Sequence, residues 1–212
     1  LDIVGLLETD LHRPAFGNRD LTQWLAQDLH MYADLGPSPK KHTWGAVLLS
    51  KFPIINSTHH LLPSPHGELA PAIHAVLDIW GVPTHVVVSH NGQFEDKLDR
   101  ELQTKAIARI LSDAYPHPAI FLGYVVTKPH APRPEPYDIL FSDGLIFDVD
   151  PDDKDRWCQY LGFRGLERVG YARVSRYTVT DTELQTFKLA VPERLEPNYD
   201  VRPFRVSGRH IM

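Results

Sequence analysis

His90 is the side chain in this 212-residue sequence best placed for acid–base chemistry. It closes the apolar run Val86-Val87-Val88-Ser89 and opens the polar turn Asn91-Gly92-Gln93, the kind of strand end at which open α/β proteins gather their sites. An imidazole there exchanges a proton near neutral pH, and the amide of Asn91 stands next to it as a substrate contact. The other histidines among the twelve carry weaker signals. His59 and His60 are adjacent, so on a strand they face opposite sides and do not easily share a metal; they read as loop or surface residues. His74 and His85 fall inside strand-like runs and read as satisfied core or edge residues. His42, beside Lys41 and ahead of Trp44, either borders a phosphate site or occupies a turn.

Cations for a phosphate are present but sparse. Arg173 and Arg176 carry the planar fork that grips phosphate oxygens bidentately, and their odd spacing on a strand turns only one of them toward a site. Lys128 and Arg133 are further candidates to neutralise a single phosphodiester. The acidic run Asp148, Asp150, Asp152, Asp153, Asp155 lacks the glycine and closing glutamate of a helix–loop–helix calcium site, and reads as the cap of a following helix.

These residues need strands to hold them. Residues 2–7 and 45–50 are apolar runs bounded by turns, and Ala72 to Ile79 and His85 to Ser89 repeat the pattern of buried strands. Asp20 to Leu29 places Leu21, Trp24, Leu25 and Leu29 on one helical face, and Lys97 to Leu111 places Leu98, Leu102, Ile107, Ile110 and Leu111 opposite Arg100, Glu101, Lys105 and Arg109. Pro116 and Pro118 precede a strand from Ala119 to Val126. The proline-rich stretch 127–137 then reads as an extended loop over the active face. Beyond Pro192 the chain reads as a late strand or an arm. Strands and helices alternate without a separating linker, so a single domain over residues 1–212 is expected.

Three segments in order carry a family resemblance: Asp2-Ile3-Val4-Gly5-Leu6-Leu7-Glu8-Thr9, then Gly45-Ala46-Val47-Leu48-Leu49-Ser50-Lys51-Phe52-Pro53-Ile54, then Val86-Val87-Val88-Ser89-His90. Together they resemble the endonuclease/exonuclease/phosphatase superfamily of metal-dependent phosphodiesterases, the DNase I-like group. The resemblance implies a four-layered α/β sandwich, two packed mixed β-sheets flanked by helices. It implies that Glu8 holds a divalent cation, a hard carboxylate oxygen being what Mg²⁺ takes, that His90 is the phosphate-side acid, and that Glu68 orients it. Arg173-Val174-Ser175-Arg176-Tyr177 and Thr180-Asp181-Thr182 resemble the closing motifs, which makes Arg173 a phosphate ligand and Asp181 a catalytic carboxylate.

The departures are as informative. Where the superfamily reads Gly-Asp-Phe-Asn, this chain reads Gly123-Tyr124-Val125-Val126; an Asp and a general-base His are replaced by Ser175 and Thr182. A tyrosine hydroxyl titrating near pKa ~10 does not serve as a carboxylate base, so Tyr124 is expected to contact substrate and ordinary water-dependent nuclease chemistry is disfavoured. With these losses, Ser64-Pro65-His66-Gly67-Glu68-Leu69-Ala70-Pro71-Ala72, Ser89-His90-Asn91-Gly92-Gln93 and Lys128-Pro129-His130-Ala131-Pro132-Arg133-Pro134 resemble the C-terminal domain of the eukaryotic proteins that remodel GPI-anchor lipid. That resemblance implies exchange of diacylglycerol-type lipid for ceramide through the inositol phosphodiester, in a phospholipase C-like or phosphotransfer step. It implies a GPI or phosphatidylinositol head group as partner, Mg²⁺ held weakly or not required, and a lumenal domain of a larger endoplasmic reticulum membrane protein, with a strand preceding Leu1. A silent domain that recognises the GPI glycan or inositol phosphate is the alternative, and a Mg²⁺-dependent nuclease the third.

Composition is compatible with this and sets bounds. At 42% hydrophobic and 23% charged the chain can bury a full core. A net charge of −5 leaves no basic footprint for a nucleic-acid duplex. The one cysteine, Cys158, allows no internal disulfide and reads as a packed thiol. No stretch approaches the roughly 18–20 apolar residues of a membrane-spanning helix. Asn56-Ser57-Thr58 is a glycosylation sequon that suits a lumenal domain or arises by chance.

Overall fold

The computed structural model describes residues 1–10, 20–39, 44–67, 69–132, 136–174 and 182–192. Eleven strands and two main helices follow one another as β1 (Ile3–Asp10), α1 (Leu21–Asp28), β2 (Tyr32–Leu35), β3 (Trp44–Ser50), β4 (Ile54–Leu62), β5 (Ala70–Ile79), β6 (Val82–Ser89), α2 (Lys97–Asp113), β7 (Ala119–Tyr124), β8 (Phe147–Asp148), β9 (Gln159–Arg164), β10 (Glu167–Val174) and β11 (Leu184–Ala190) among the described residues. A six-stranded mixed sheet has the order β4-β5-β6-β7-β9-β8, a three-stranded sheet the order β1-β3-β2, and β10 and β11 form a hairpin. Only β6 and β7 pair in parallel in the large sheet. Parallel neighbours need a long crossover, which α2 supplies.

Side-chain alternation sorts the apolar residues into four layers. On one face of the large sheet, Ala72, Val87, Phe121 and Tyr160 pack with Ile107 and Leu111 of α2 and with Leu140. On its other face, Ile73, Ala75, Leu77, Val86, Val88 and Ile120 meet Ala46 and Leu48 of β3. The next two residues of the pattern, Val47 and Leu49, point the opposite way and pack against Ala26 of α1. Thus β3 is buried on both sides and reads as an uninterrupted apolar run. Leu48 is fully buried and Leu49 nearly so, and truncating either to alanine is expected to cost about 2–5 kcal/mol.

Several expectations are corrected in detail. The helix at residues 20–29 forms, capped by Asp20 Oδ1 accepting from Gln23 N at 2.9 Å. Its buried residues are Thr22 and Ala26; of the expected stripe Leu25 packs half-buried against the Ala26, Val47 and Leu49 cluster, whereas Leu21, Trp24 and Leu29 are exposed. In α2 the buried face of the first two turns is polar, with Asp99, Arg100, Gln103 and Thr104 inside and Leu98 exposed. The strand expected to reach Val126 ends at Tyr124. The stretch 127–137 is not extended throughout: Pro136–Asp138 is helical and runs into a π-helical turn, Ile139–Asp143. His59 and His60 lie on β4 rather than in a loop.

No helix follows the acidic run. Asp148 instead accepts two hydrogen bonds from the buried Arg156 guanidinium, at 2.8 and 2.6 Å, and one from Tyr137 at 2.7 Å. Burial and the Asp148 carboxylate together push the Tyr137 hydroxyl far above its ordinary range. Cys158 is buried and in no disulfide.

Candidate active site

Two strand ends meet at the site. β1 carries a bulge: Leu6 pairs with Val47 and Thr9 with Gly45, so three steps on β1 oppose two on β3. Glu8 sits in this bulge with φ of 56°, a left-handed conformation that costs a non-glycine residue about 1–2 kcal/mol. The kink turns its carboxylate to the end of β6, where Glu8 Oε1 and His90 Nε2 lie 2.9 Å apart. The backbone at His90 is fixed by its N–H donating to Pro71 O at 3.1 Å. Its ring is held between Trp44 and Tyr124, each with a centroid separation of 5.1 Å. Gly123 permits the close approach of β7: a Cβ there would fall 2.4 Å from the Ser89 carbonyl oxygen.

A pocket of about 260 Å³ opens on the pair, lined by Glu8, Trp44, Leu69, Ala70, His90, Gly92 and Gln93. This lies near the lower end of small-molecule sites, roughly 300–1,000 Å³. The His90 hydrogen bond, opposed by burial, holds the Glu8 carboxyl below the usual carboxylate range. The side chains of Glu8 and His90 differ in access, 59% and 11% exposed, so the carboxylate meets solvent or substrate while the imidazole is mostly enclosed.

The polar face of α2 explains why the two loops around the pocket keep their places. Asn91 Nδ2 donates to Thr104 Oγ1 at 2.9 Å, and Gly92 N donates to Gln103 Oε1 at 2.7 Å. Gln103 Nε2 donates to Ser64 Oγ at 2.9 Å, which ties the loop after β6 to the loop before β5. Asp99 then accepts from Ser64 Oγ at 3.1 Å, from Gly67 N at 2.7 Å and from His66 N at 3.2 Å. Arg100 Nη1 donates to Val126 O at 2.5 Å, fixing a β-branched residue at φ of 54°, where such side chains are rare. Among the described residues, Ser89 Oγ, His90 Nδ1 and Asn91 Oδ1 are buried without a hydrogen-bond partner. Three consecutive residues each burying a polar atom that has no partner among the described residues are costly, about 1–3 kcal/mol per atom.

The other expected site residues divide. Glu68, His42, Asp181 and Arg176 lie outside the described residues. Tyr124 adjoins His90, and its hydroxyl lies 3.3 Å from Thr182 Oγ1. Asn91 is nearly fully buried behind His90. Lys128 is exposed on the stretch after β7. Arg173 does not line the pocket; its guanidinium pairs with Asp153 at 3.3 Å and Glu183 at 3.0 Å. Sequence reading missed Trp44, Asp99, Gln103 and Thr104 as site-forming residues. The signal was available: Asp99 and Gln103, and Arg100 and Thr104, recur at four-residue intervals on one side of α2.

Among the described residues no group of three or more His, Cys, Asp or Glu side chains is arranged to hold a divalent cation, and the one carboxylate lining the pocket, Glu8, already meets His90. Mg²⁺ takes several hard oxygens in near-octahedral array. The described residues do not fit such an ion.

The family described as "PGAP2IP, C-terminal nuclease-like domain" matches residues 1–209. The chain belongs to this family. It is 58% identical over 210 residues to Protein cwh43 of Schizosaccharomyces pombe, a match covering 99% of this chain and 21% of that protein. The chain therefore spans about a fifth of the length of this curated relative. An endonuclease/exonuclease/phosphatase from Bacteroides vulgatus is similar at TM-score 0.68 and 15% identity, covering 90% of this chain and 85% of that one. The catalytic domain of human Nocturnin, solved with a bound sulfate anion, is similar at TM-score 0.62 and 18% identity, covering 79% and 71%. Sphingomyelinase C from Streptomyces griseocarneus is similar at TM-score 0.59 and 18% identity, covering 89% and 82%. These likenesses speak for the fold, which is the DNase I-like α/β sandwich.

Proposed function

We propose that this domain acts on the phosphodiester between an inositol head group and a diacylglycerol-type lipid, in the remodelling of GPI anchors to ceramide. The observation that carries this reading is the Glu8–His90 pair, 2.9 Å apart at the mouth of the pocket, in a chain of this family. A hydroxyl of the substrate, from inositol or ceramide, serves as nucleophile. Glu8 takes its proton, the hydroxyl oxygen forms the new P–O bond, the P–O bond to the departing lipid breaks, and His90 delivers a proton to the leaving oxygen. Passage of a proton along the Glu8–His90 hydrogen bond resets the pair. Tyr124, Val126 and Thr182, in place of water-activating groups, suit a reaction that needs no activated water. Mg²⁺ is not required in this scheme.

Glu68 and Asp181 are proposed as orienting carboxylates, Glu68 for the buried Nδ1 of His90. Tyr124, His42, Lys128 and Arg176 are proposed as head-group contacts; Asn91, expected as one, is buried against Thr104 and holds the loop beside His90 instead, and Arg173 is proposed as a structural residue. The full-length protein would present the pocket at the lumenal face of the endoplasmic reticulum membrane. Among the described residues no helix is long and apolar enough to cross a membrane. With a net charge of −5, double-stranded DNA is not the partner.

A second reading, a recognition domain without turnover, is favoured by one observation: no lysine or arginine is among the described residues lining the pocket. The full-length protein in phosphatidylinositol vesicles separates the two. Release of diacylglycerol or formation of a ceramide phosphodiester, lost in His90→Ala and reduced about 10²–10⁴-fold in Glu8→Gln, is the expected result. Head-group binding without product, unchanged in His90→Ala, would favour recognition alone. Tight, salt-sensitive DNA binding would overturn both.

A further inference from the structure

β4 is an outer strand of the large sheet, and among the described residues it pairs with β5 alone. The opposite edge, β8, is two residues long, too short to template another strand. β4 runs for nine residues, and Ile54–Leu62 contains no Asp, Glu, Lys, Arg, Pro or Gly. Charges, prolines and short lengths are how β-proteins blunt a free edge. A long stretch without them is one that pairs edge to edge. Pro53 and Pro63 flank the strand and leave its middle open.

That middle carries Asn56-Ser57-Thr58, the acceptor tripeptide for an asparagine-linked glycan. The pairing register fixes which way its side chains face, because directly opposed residues share a face of the sheet. Ser57 lies opposite Ala75 and His59 opposite Ile73, and Ile73 and Ala75 face the three-stranded sheet. Ser57 Oγ accordingly donates to Asp34 of β2, and His59 Nε2 lies 2.7 Å from the other carboxylate oxygen of Asp34. This clamp ties the edges of the two sheets together. Asn56 and Thr58, opposite Val76 and His74, point to the other face. Between Ile54 and Asn56 two steps of β4 oppose one of β5, a bulge of the kind that re-aims side chains at a sheet edge. Residues 55–59 are all exposed. A group attached to Asn56 therefore leaves the clamp intact and stands over the open edge.

We propose that Asn56 is a glycosylation site whose glycan guards the β4 edge. Asn56 Nδ2 forms a C–N bond to the anomeric carbon of a glycosyl donor that carries a lipid diphosphate leaving group. The C–O bond to the diphosphate breaks, its electron pair leaves with the diphosphate, and Nδ2 gives up one proton. Thr58 supplies the hydroxyl that the acceptor motif requires, on the same side of the strand. The product is a bulky, hydrated adduct at mid-strand, where it excludes a second strand as a charge or proline does elsewhere. The site rests on the lumenal placement proposed above, since the donor and its transferase are met there.

Mass analysis of the full-length wild-type protein from a eukaryotic host tests the site. After peptide-N-glycosidase in heavy-oxygen water, peptides carrying Asn56 are expected to bear the heavy-oxygen mark of deglycosylation at that residue. Asn56 recovered wholly unmarked would overturn the proposal. Protease protection on the same membranes separates the causes: an unmarked Asn56 in a protected domain sinks the glycan alone, whereas one in a protease-accessible, cytosolic domain sinks the lumenal placement with it. Thr58→Ala should remove the mark and Thr58→Ser should keep it, and a mark that survives Thr58→Ala contradicts the assignment. The Thr58→Ala protein should also aggregate several-fold faster than Thr58→Ser at equal concentration, and equal rates would overturn the guarding role. The wild-type arm uses no variant, so it stands even where a variant misfolds.

Discussion

Asp99→Ala tests whether the polar face of α2 is what positions the pocket. Asp99 is fully buried and accepts from Gly67 N at 2.7 Å and Ser64 Oγ at 3.1 Å, with a longer contact from His66 N at 3.2 Å. Hydrogen bonds to a charged acceptor contribute about 1.5–3 kcal/mol each. Two good ones, less what solvent recovers at a part-buried loop, give a loss of about 3 kcal/mol. Against a total stability of about 5–15 kcal/mol the fold survives, and the urea midpoint falls by roughly 1 M or more if m is about 2–3 kcal/mol per M. The damage is local as well as global: residues 64–67 lose their anchor, and Leu69, which lines the pocket, loses its position with them. Substrate affinity should therefore drop further than stability does, and the amides of residues 64–67 should exchange faster. Asp99→Asn should fall between, because it keeps one acceptor oxygen and turns an NH₂ group toward other donors. A midpoint change under about 0.2 M with unaltered exchange at residues 64–67 would refute the assignment.

Trp24→Lys should change stability by less than about 0.5 kcal/mol, while Ala26→Lys should cost several times more, because only Ala26 meets Val47 and Leu49; thermal melts of both decide which face of α1 is inward. Asp148→Asn should cost about 3–5 kcal/mol by stranding the buried Arg156, and an unshifted denaturation curve would contradict that. The histidine row His60, His74, His85, with His117 stacked beyond it, should make stability fall on acidification. Burial first, then neighbouring His74 and His117, pushes His85 down to about 4, and His60 and His74 are lowered as well, chiefly by burial. A folded-state value below the unfolded 6.5 means that the unfolded chain binds more protons between those values. The contribution is complete above pH 6.5 and lost as pH falls toward 4. The full linkage for His85 is about 3 kcal/mol, and roughly half after screening of a half-buried row. The pH profile of the melting temperature from 7 to 4 should flatten in His85→Gln, and an unchanged slope would exclude the row as its source.

Much of both sheets was legible because β3 of the small sheet and β6 and β7 of the large one bury both faces, and runs such as Ala46–Leu49 and Val86–Val88 have no polar residue to disguise them. Helix positions were legible for the same reason, but their inward faces were not. An apolar stripe predicts an apolar neighbour, and of that stripe on α1 only Leu25 joins Ala26 against β3, while Leu21, Trp24 and Leu29 stay exposed. At the start of α2 the neighbours are not apolar at all; they are loop N–H groups at His66, Gly67 and Gly92 that need acceptors, which Asp99 and Gln103 provide. The Asp148 run misled because its partner, Arg156, is outside any helix and is recognised only by what it buries. Glu8 and His90 are separated by 82 residues, a distance no local pattern bridges. Family resemblance brought both to the site, but their direct contact was visible only once the bulge at Glu8 was.

That bulge and the unsatisfied atoms beside it give the site a consistent physical character. Glu8 is held at positive φ, and Ser89, His90 and Asn91 each leave a buried polar atom unpartnered among the described residues. A chain optimised only for stability would relax the first and satisfy the second. Both costs meet where the ends of β1 and β6 come together, while Asp99, Gln103 and Thr104 of α2 hold the two loops beside them. Strain concentrated where a rigid scaffold over-determines it is the pattern expected of a functional site.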